Sequence, residues 1–508
     1  MKRWNNLYEY CRLPIRILIL AVVLLGFGYL LQNDNVNIFY TFENPLLLLL
    51  GETSSRIGHF LYINIPFVFL LNLVSKRANS GAPTLMAIVG YFTFLVFTMM
   101  FNSHTLPNEA YTSAFGINYN HMSYGTIYPI QTGLIGAFLV AYLTRVAYVH
   151  SRRRSSYSFL SFLDKDTAGL VYNIFLCALA GVLVSFVWPF GIRALQTAIN
   201  WIAADIGNPI RLMLYGFLDR LLAIFGLSNM IRRPFWFGKA GGNYVSLSGE
   251  TILGDVNIWN FMPEAATTFS GAGRFITPYY VINMFAIPAL ILAIFFVNTD
   301  RGERRRSMIF TLVMVLGNIV CGNPLPMELI LLFTAPLLLV FHLIASGALF
   351  GILYSLHAFL GFNYSGSTIS AMPGAFPDYI INARTPQYVR SLLVILLVGI
   401  ITAIVYYFAA YAYYHYFAFD VSGSKRSHGI AVRIIDAVGG VDNIKKTYSS
   451  SFKLSIEVED LEKVSYDKLK KLNSTRITET KTRIVLDLGA PSTIIRAKID
   501  QIMKKSKR

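Results

Sequence analysis

Charged side chains make up only 14% of this 508-residue chain against 55% hydrophobic residues, a shortage that excludes an ordinary water-soluble globule. Mean hydropathy is +0.51. Cysteine is scarce: Cys11, Cys177 and Cys321 each fall in or near an apolar run without metal-ligand spacing, so neither a disulfide framework nor a zinc site is expected. No other cofactor or metal is expected either. Acidic residues are the scarcer charge, 27 against 44 basic ones, which gives a formal net charge of +17. That surplus does not imply nucleic-acid binding. Loop cations between apolar runs account for it, as they do on the cytoplasmic side of membrane proteins.

Long apolar runs are abundant. Spanning about 30 Å of hydrocarbon takes roughly 20 apolar residues as helix. Segments near 14–31, 59–75, 83–101, 128–149, 168–188, 208–227, 279–297, 307–321, 328–350 and 391–416 fit in whole or part. About ten transmembrane helices are therefore expected, with shorter re-entrant pieces near 190–204, 235–275 and 351–385. The first span lacks a small-residue cleavage site and is read as retained. Lys2, Arg3 and Arg12 precede it, whereas Asp34, Glu43 and Glu52 follow it. Lys76 and Arg77, Arg152–Arg154 and the Arg301–Arg306 run mark further cytoplasmic ends. An even number of spans then returns both termini to the cytoplasm.

The chain divides in two. Residues 1–418 are membrane-like, 419–428 (FDVSGSKRSH) form a Gly/Ser/Lys linker, and 429–508 are soluble and amphipathic. Ala431–Val438 reads as a short helix ended by Gly439 and Gly440. Phe452–Val458 alternates apolar and polar like a half-buried strand, Ile484–Leu488 forms a second strand, and Ile494–Met503 a final helix. The expected fold is an α-helical polytopic membrane protein with a small C-terminal α+β domain.

Residues 436–460 (DAVGGVDNIKKTYSSSFKLSIEVED) resemble the phosphorylation site of the IIB domain of glucose-type phosphotransferase-system (PTS) permeases. Gly439, Gly440, Asn443 and Ile444 match its G-G-x-x-N-I lead-in. Ser450 stands where the family carries its phosphoryl-bearing Cys. Phe452, Lys453, Leu454 and Ser455 take its T-R-L-R positions. Further matches are Leu472, Asn473 and Ser474, and Ile484 to Gly489. In the membrane part, residues 215–237 (YGFLDRLLAIFGLSNMIRRPFWF) resemble the family's IIC segment, with Ser228 and Asn229 in place of a double His. Residues 273–290 and 322–342 resemble two further IIC stretches. The resemblance implies that the first Glu of a T-E-P-L-E motif sits at the sugar and assists phosphorylation. Leu325 holds that position, and Glu328 matches the second Glu. Gly361, Phe362, Asn363, Tyr364 and Ser365 resemble G-F-T-F-S, after Leu360 where a His is usual.

The expected catalytic positions Ser450, Leu325, Ser228 and Asn229 are thus degenerate, and none is intact. A Ser hydroxyl is a weak nucleophile without an adjacent base, and residues 430–508 contain no His to serve as one. A polar turn is the plainer reading of Ser449–Ser451. Ser228, Asn229 and Asn323 are candidates for hydrogen bonding to a carbohydrate. Glu328, ionisable within an apolar segment, either lines the site or pairs with a nearby cation. His342 and His357 are structural histidines or ligand contacts. Arg232 and Arg233 are loop cations, unless Arg232 faces the cavity and binds an anionic group. Asp219 and Arg220 read as a structural ion pair. Trp201, Trp236 and Trp259 stack on a sugar or sit at the membrane interface.

The resemblance implies a dimeric, elevator-like IIBC permease in the bacterial cytoplasmic (inner) membrane, with lipid, a carbohydrate or glycoside, and other PTS proteins as partners. The residues point to a carrier that phosphorylates its cargo poorly or not at all. Leu325 makes the pocket more apolar, which suits a cargo less polar than a free hexose. Two alternatives stand beside this: a catalytically inactive sugar-binding receptor or regulator of another permease, and a permease that borrows a separate IIB domain.

Overall fold

The computed structural model describes residues 2–32, 44–75, 81–102, 105–153, 164–246, 249–262, 271–299, 301–362, 373–414, 424–450, 452–472, 477–480, 482–489 and 491–506. Asn363, Tyr364, Ser365, Asn473 and Ser474, which carry parts of the resemblance, lie outside them. The first part contains α1 (Lys2–Gln32), α2 (Pro45–Ile63), α3 (Ile65–Ser75), α4 (Ala82–Met100), α5 (Gly133–Arg153), α6 (Lys165–Ala203), α7 (Pro209–Ile224), α8 (Asn229–Trp236) and α9 (Asp255–Phe261). It continues with α10 (Thr277–Val297), α11 (Arg301–Cys321), α12 (Leu325–Thr334), α13 (Pro336–Ser355), α14 (Phe376–Asn382) and α15 (Val389–Ala412), and two short hairpins pair β1 (Tyr119–His121) with β2 (Gly125–Ile127) and β3 (Asn243–Val245) with β4 (Thr251–Leu253).

Among the described residues, seven helices are long and apolar enough to cross a bilayer, or eight if α2 and α3 form one span bent by 59°. Two of the ten expected runs fall short, 208–227 and 307–321, the second being the apolar Ser307–Cys321 part of α11. The α7 helix has 16 residues and carries Arg211, Asp219 and Arg220. The run at 328–350 breaks at Ala335, because Pro336 has no N–H to continue the helix, leaving the ten-residue α12. Pro66 acts likewise at the α2–α3 bend. Phe175, Phe186 and Phe190 on α6, with Leu397 and Ile401 on α15, are 61–68% exposed, an apolar surface that suits lipid rather than water.

Two local devices position the interior. Gly347 of α13 lies so close to α7 that a Cβ there would come within 2.7 Å of the Met213 carbonyl, and this small residue lets the helices close together. Gly226, at φ +74°, ends α7: its N–H bonds Ala223 O at 3.0 Å and Leu227 N–H bonds Leu222 O at 2.9 Å. The chain then reverses directly into α8.

The second part contains α16 (Ser424–Ala437), β5 (Ile444–Ser449), β6 (Lys453–Val458), α17 (Tyr466–Lys471), β7 (Ile477–Thr480), β8 (Arg483–Asp487) and α18 (Ser492–Ser506). Its strands form an antiparallel sheet in the order β5–β6–β8–β7, pairing Leu454 with Leu486 and Ile456 with Ile484. Those four residues are fully buried against Ala431, Ile434 and Ile499 of the helices. The α16 helix starts within the stretch expected as linker, of which residues 419–423 lie outside the described structure.

The β5–β6 turn rests on the joint between α10 and α11. Thr299 N–H donates to Ser449 O at 2.9 Å, and Ser449 N–H donates to Thr299 Oγ1 at 3.0 Å. Arg496 Nη1 reaches the same hydroxyl at 3.3 Å, and Ile494 packs against the apolar core of the first part. Thr299→Val removes the acceptor for the Ser449 amide. Amide hydrogen exchange at Ser449 is expected to accelerate about five- to tenfold, the worth of one net hydrogen bond. Unchanged exchange would mean that this contact does not hold the turn.

Candidate functional site

Tyr62 beside the α2–α3 bend, Arg220 on α7, Arg232 on α8 and Tyr279 on α10 converge on an internal pocket. Gly322, Asn323, Pro324 and Leu325, where α11 passes into α12, complete its wall together with Ala223 and Pro373. The pocket holds about 20 Å³, enough for a water and far too little for a sugar ring, so the site is closed.

The wall is held by buried amides. Asn283 Nδ2 donates to Gly322 O and to Pro373 O, both at 2.9 Å. Asn283 sits in a π-helical turn of α10, and its own carbonyl accepts from Asn318 Nδ2 at 2.5 Å. Asn323 Oδ1 accepts from Leu325 N–H at 3.1 Å, closing a turn that leads into α12.

Behind the pocket lies a buried charge cluster. Asp219 accepts from Arg220 Nε and Nη2 at 3.0 and 2.8 Å, from Arg232 Nε at 2.5 Å and from the Tyr279 hydroxyl at 2.6 Å. Arg220 Nη1 also reaches Glu328 Oε1 at 3.2 Å. The same oxygen lies 3.0 Å from His342 Nε2, while His342 Nδ1 is 3.1 Å from the Tyr406 hydroxyl. Asp219, Glu328 and His342 are 0% exposed and Arg220 is 2% exposed. Two carboxylates balance two guanidiniums, which makes such burial tolerable in low dielectric. Glu328 Oε2 is buried without a partner among the described residues.

Of the residues singled out in the sequence, Arg232, Asn323 and Leu325 line the pocket, and Glu328 and His342 stand behind it through Arg220. Arg232 is only 12% exposed, so it is a pocket residue rather than a loop cation, whereas Arg233 is exposed. Ser228 and Asn229 begin α8 but do not line this pocket. Trp236 packs under Arg232 at 5.1 Å and donates to the Tyr215 hydroxyl at 2.9 Å, a supporting role. Trp259 is buried against Tyr388, while Trp201 is 45% exposed under Arg211. His357 is exposed. Sequence reasoning missed Arg220, Tyr62 and Tyr279 as pocket residues. The signal for Arg220 was available: a charged pair inside an apolar helix marks a functional interior.

A larger cavity of about 290 Å³ lies across α8, against Met230 and Pro234. None of its polar residues Glu109, Gln196, Asn200 and Lys239 is buried. The chemistry-bearing groups gather instead at the smaller pocket.

A polytopic helical protein whose buried charges converge on one internal pocket has the plan of a membrane permease. Sequence comparison narrows the class. Residues 11–347 match the family described as Phosphotransferase system, EIIC, and the chain belongs to it: an integral protein of the bacterial inner membrane in PTS sugar transport. It is similar to the PTS system glucoside-specific EIICBA component of Staphylococcus carnosus (strain TM300), with 27% identity over 518 residues, 97% of this chain and 72% of the relative. It is likewise similar to the PTS system glucose-specific EIICBA component of Staphylococcus saprophyticus subsp. saprophyticus, with 27% identity over 511 residues, 97% of this chain and 71% of the relative. The family match includes the pocket residues from Tyr62 to Leu325.

Proposed function

We propose that this chain is a glucose-type carrier that moves a carbohydrate or glycoside across the membrane and phosphorylates it poorly or not at all. In this reading residues 1–418 are the IIC-like permease, 419–428 the joint and 429–508 an IIB-like domain, with both termini cytoplasmic and the permease a homodimer. Leu325 carries the proposal. It lines the pocket with an aliphatic chain where the resemblance expects a carboxylate. Phosphoryl transfer to a sugar hydroxyl needs a group to take or direct its proton, and Leu325 has none to offer.

Ser450 supports the same reading. Its N–H donates to Lys453 O at 2.8 Å and its hydroxyl accepts from Lys453 N–H at 3.0 Å, so both close the β5–β6 turn. Next to it, Ser449 is bonded to Thr299, at the far end of α11 from Gly322. At 1.5 Å per residue, 21 helical residues separate the two ends by about 30 Å.

The test is uptake of labelled glucose and methyl β-glucoside by proteoliposomes, with and without phosphoenolpyruvate and the general phosphotransfer proteins. Uptake indifferent to phosphoenolpyruvate supports the carrier; uptake that requires it, with sugar phosphate as product, overturns the reading. Ser450→Ala is expected to change uptake less than twofold, since it removes a turn hydroxyl and no reacting group. A second reading is a sugar receptor or regulator. The closed pocket favours it, because filling the pocket forces a rearrangement that the docked tail could sense. Binding without net flux would select it.

A further inference from the structure

Resting on the carrier reading, we infer that the Glu328–His342 pair binds one proton each time cargo occupies the pocket, making the protein a proton-coupled carrier. Arg220 faces two ways: it lines the pocket and it is a counter-cation of Glu328, at 3.2 Å. Cargo hydroxyls entering the pocket compete for its N–H groups. Glu328, 0% exposed, then loses its guanidinium partner and needs another cation, because an unpaired buried carboxylate is costly.

His342 is placed to supply it. With Arg220 engaged, neutral His342 donates Nε2–H to Glu328 Oε1 across 3.0 Å, and Nδ1 accepts from Tyr406 across 3.1 Å. When Arg220 turns to the cargo, Nδ1 takes a proton and the imidazolium becomes the partner of Glu328. Tyr406 then accepts from Nδ1–H and turns its own O–H to the His342 carbonyl, 3.4 Å away. When cargo leaves, Arg220 returns to Glu328, and the two neighbouring cations disfavour each other until His342 gives up its proton. One proton enters and one leaves per cargo, and no covalent bond changes.

The surroundings fit this exchange. Asp219 on α7 and Arg232 on α8 neutralise each other at 2.5 Å, and Tyr279 on α10 donates to Asp219. Ser346, on the same helix as His342, lies 3.4 Å from Nδ1. Tyr406 is six residues from the end of α15, about 9 Å along the axis, on the side leading to the tail.

The experiment uses full-length protein in phosphoenolpyruvate-free vesicles enclosing a pH dye, with labelled glucose and methyl β-glucoside as probes. Counterflow exchange first establishes carriage without a gradient. A one-unit pH gradient, acid outside, is then expected to drive about tenfold accumulation of at least one probe, and in the absence of a gradient cargo added outside is expected to acidify the lumen that the dye reports. His342→Gln and Tyr406→Phe are expected to bring the accumulation ratio to one. Wild-type calorimetry in buffers of different ionisation enthalpy, expected to show about one proton taken up per cargo bound, stands even if the variants fail to fold. Counterflow with no response to the gradient overturns proton coupling and leaves the carrier intact. Absence of both binding and exchange, binding without exchange, or exchange only with phosphoenolpyruvate overturns both.

Discussion

Replacing Asp219 with Asn is expected to destabilise the folded protein by about 3–5 kcal/mol, the cost of leaving a buried partner charge unpaired. Asp219 accepts from two guanidiniums and a phenol on three different helices and is itself fully buried. Asn keeps the volume but removes the negative charge. Arg220 then retains Glu328, while Arg232 loses the carboxylate that offsets its removal from water. Thermal unfolding of detergent-solubilised protein, followed by size-exclusion chromatography after heating, reads the effect. The double variant Asp219→Asn with Arg232→Gln is expected to recover a large part of the loss, because it removes the stranded cation as well. If the single variant unfolds at the wild-type temperature, the cluster is hydrated and charge balance does not hold it together.

This cluster also marks how far the sequence is legible. Apolar runs located the membrane part because lipid burial demands an unbroken stretch, and α1, α4 and α15 meet that demand. At 208–227 the run is the 16-residue α7, which turns Asp219 and Arg220 into the protein. The same criterion joined α12 to α13 across Pro336. Periodicity found β6 and β8, whose apolar residues Leu454, Ile456 and Val458, and Ile484 and Leu486, are buried at every second position. It missed β5, because the irregular register between Ile444 and Lys446 breaks the alternation, and β7, four residues with none buried. In the site, Glu328 and His342 were singled out as polar residues in apolar surroundings, Asn323 as a hydrogen-bonding candidate, and Arg232 as a loop cation unless it faced the cavity. Tyr62 and Tyr279 gave no such signal, since only the bend after α2 and the packing of α10 bring them to Arg220 and Arg232. Ser228 and Asn229 were chosen by their place in a motif, and the turn at Gly226 sends them into α8 away from the pocket.

Leu325→Glu is expected to move cargo preference toward free glucose by about 10- to 100-fold relative to phenyl β-glucoside, read as the ratio of their dissociation constants. A hydrogen bond from a sugar hydroxyl to a carboxylate contributes about 1.5–3 kcal/mol, and each 1.4 kcal/mol is tenfold. Position 325 suits the charge, because it shares the pocket with Arg220 and Arg232. The phenyl substituent meanwhile loses the aliphatic contact that Leu325 provides. Leu325→Gln, which offers a neutral acceptor of the same length, is expected to give a smaller shift of about fivefold. Neither substitution is expected to yield sugar phosphate, because Ser450 remains tied to Lys453 in its turn and lacks a thiolate's reactivity. An unchanged preference in Leu325→Glu would place the cargo elsewhere, with the 290 Å³ cavity across α8 as the next site to probe. Sugar phosphate from the variant would show that the missing carboxylate alone had silenced the chemistry, and that the tail still delivers a phosphoryl group.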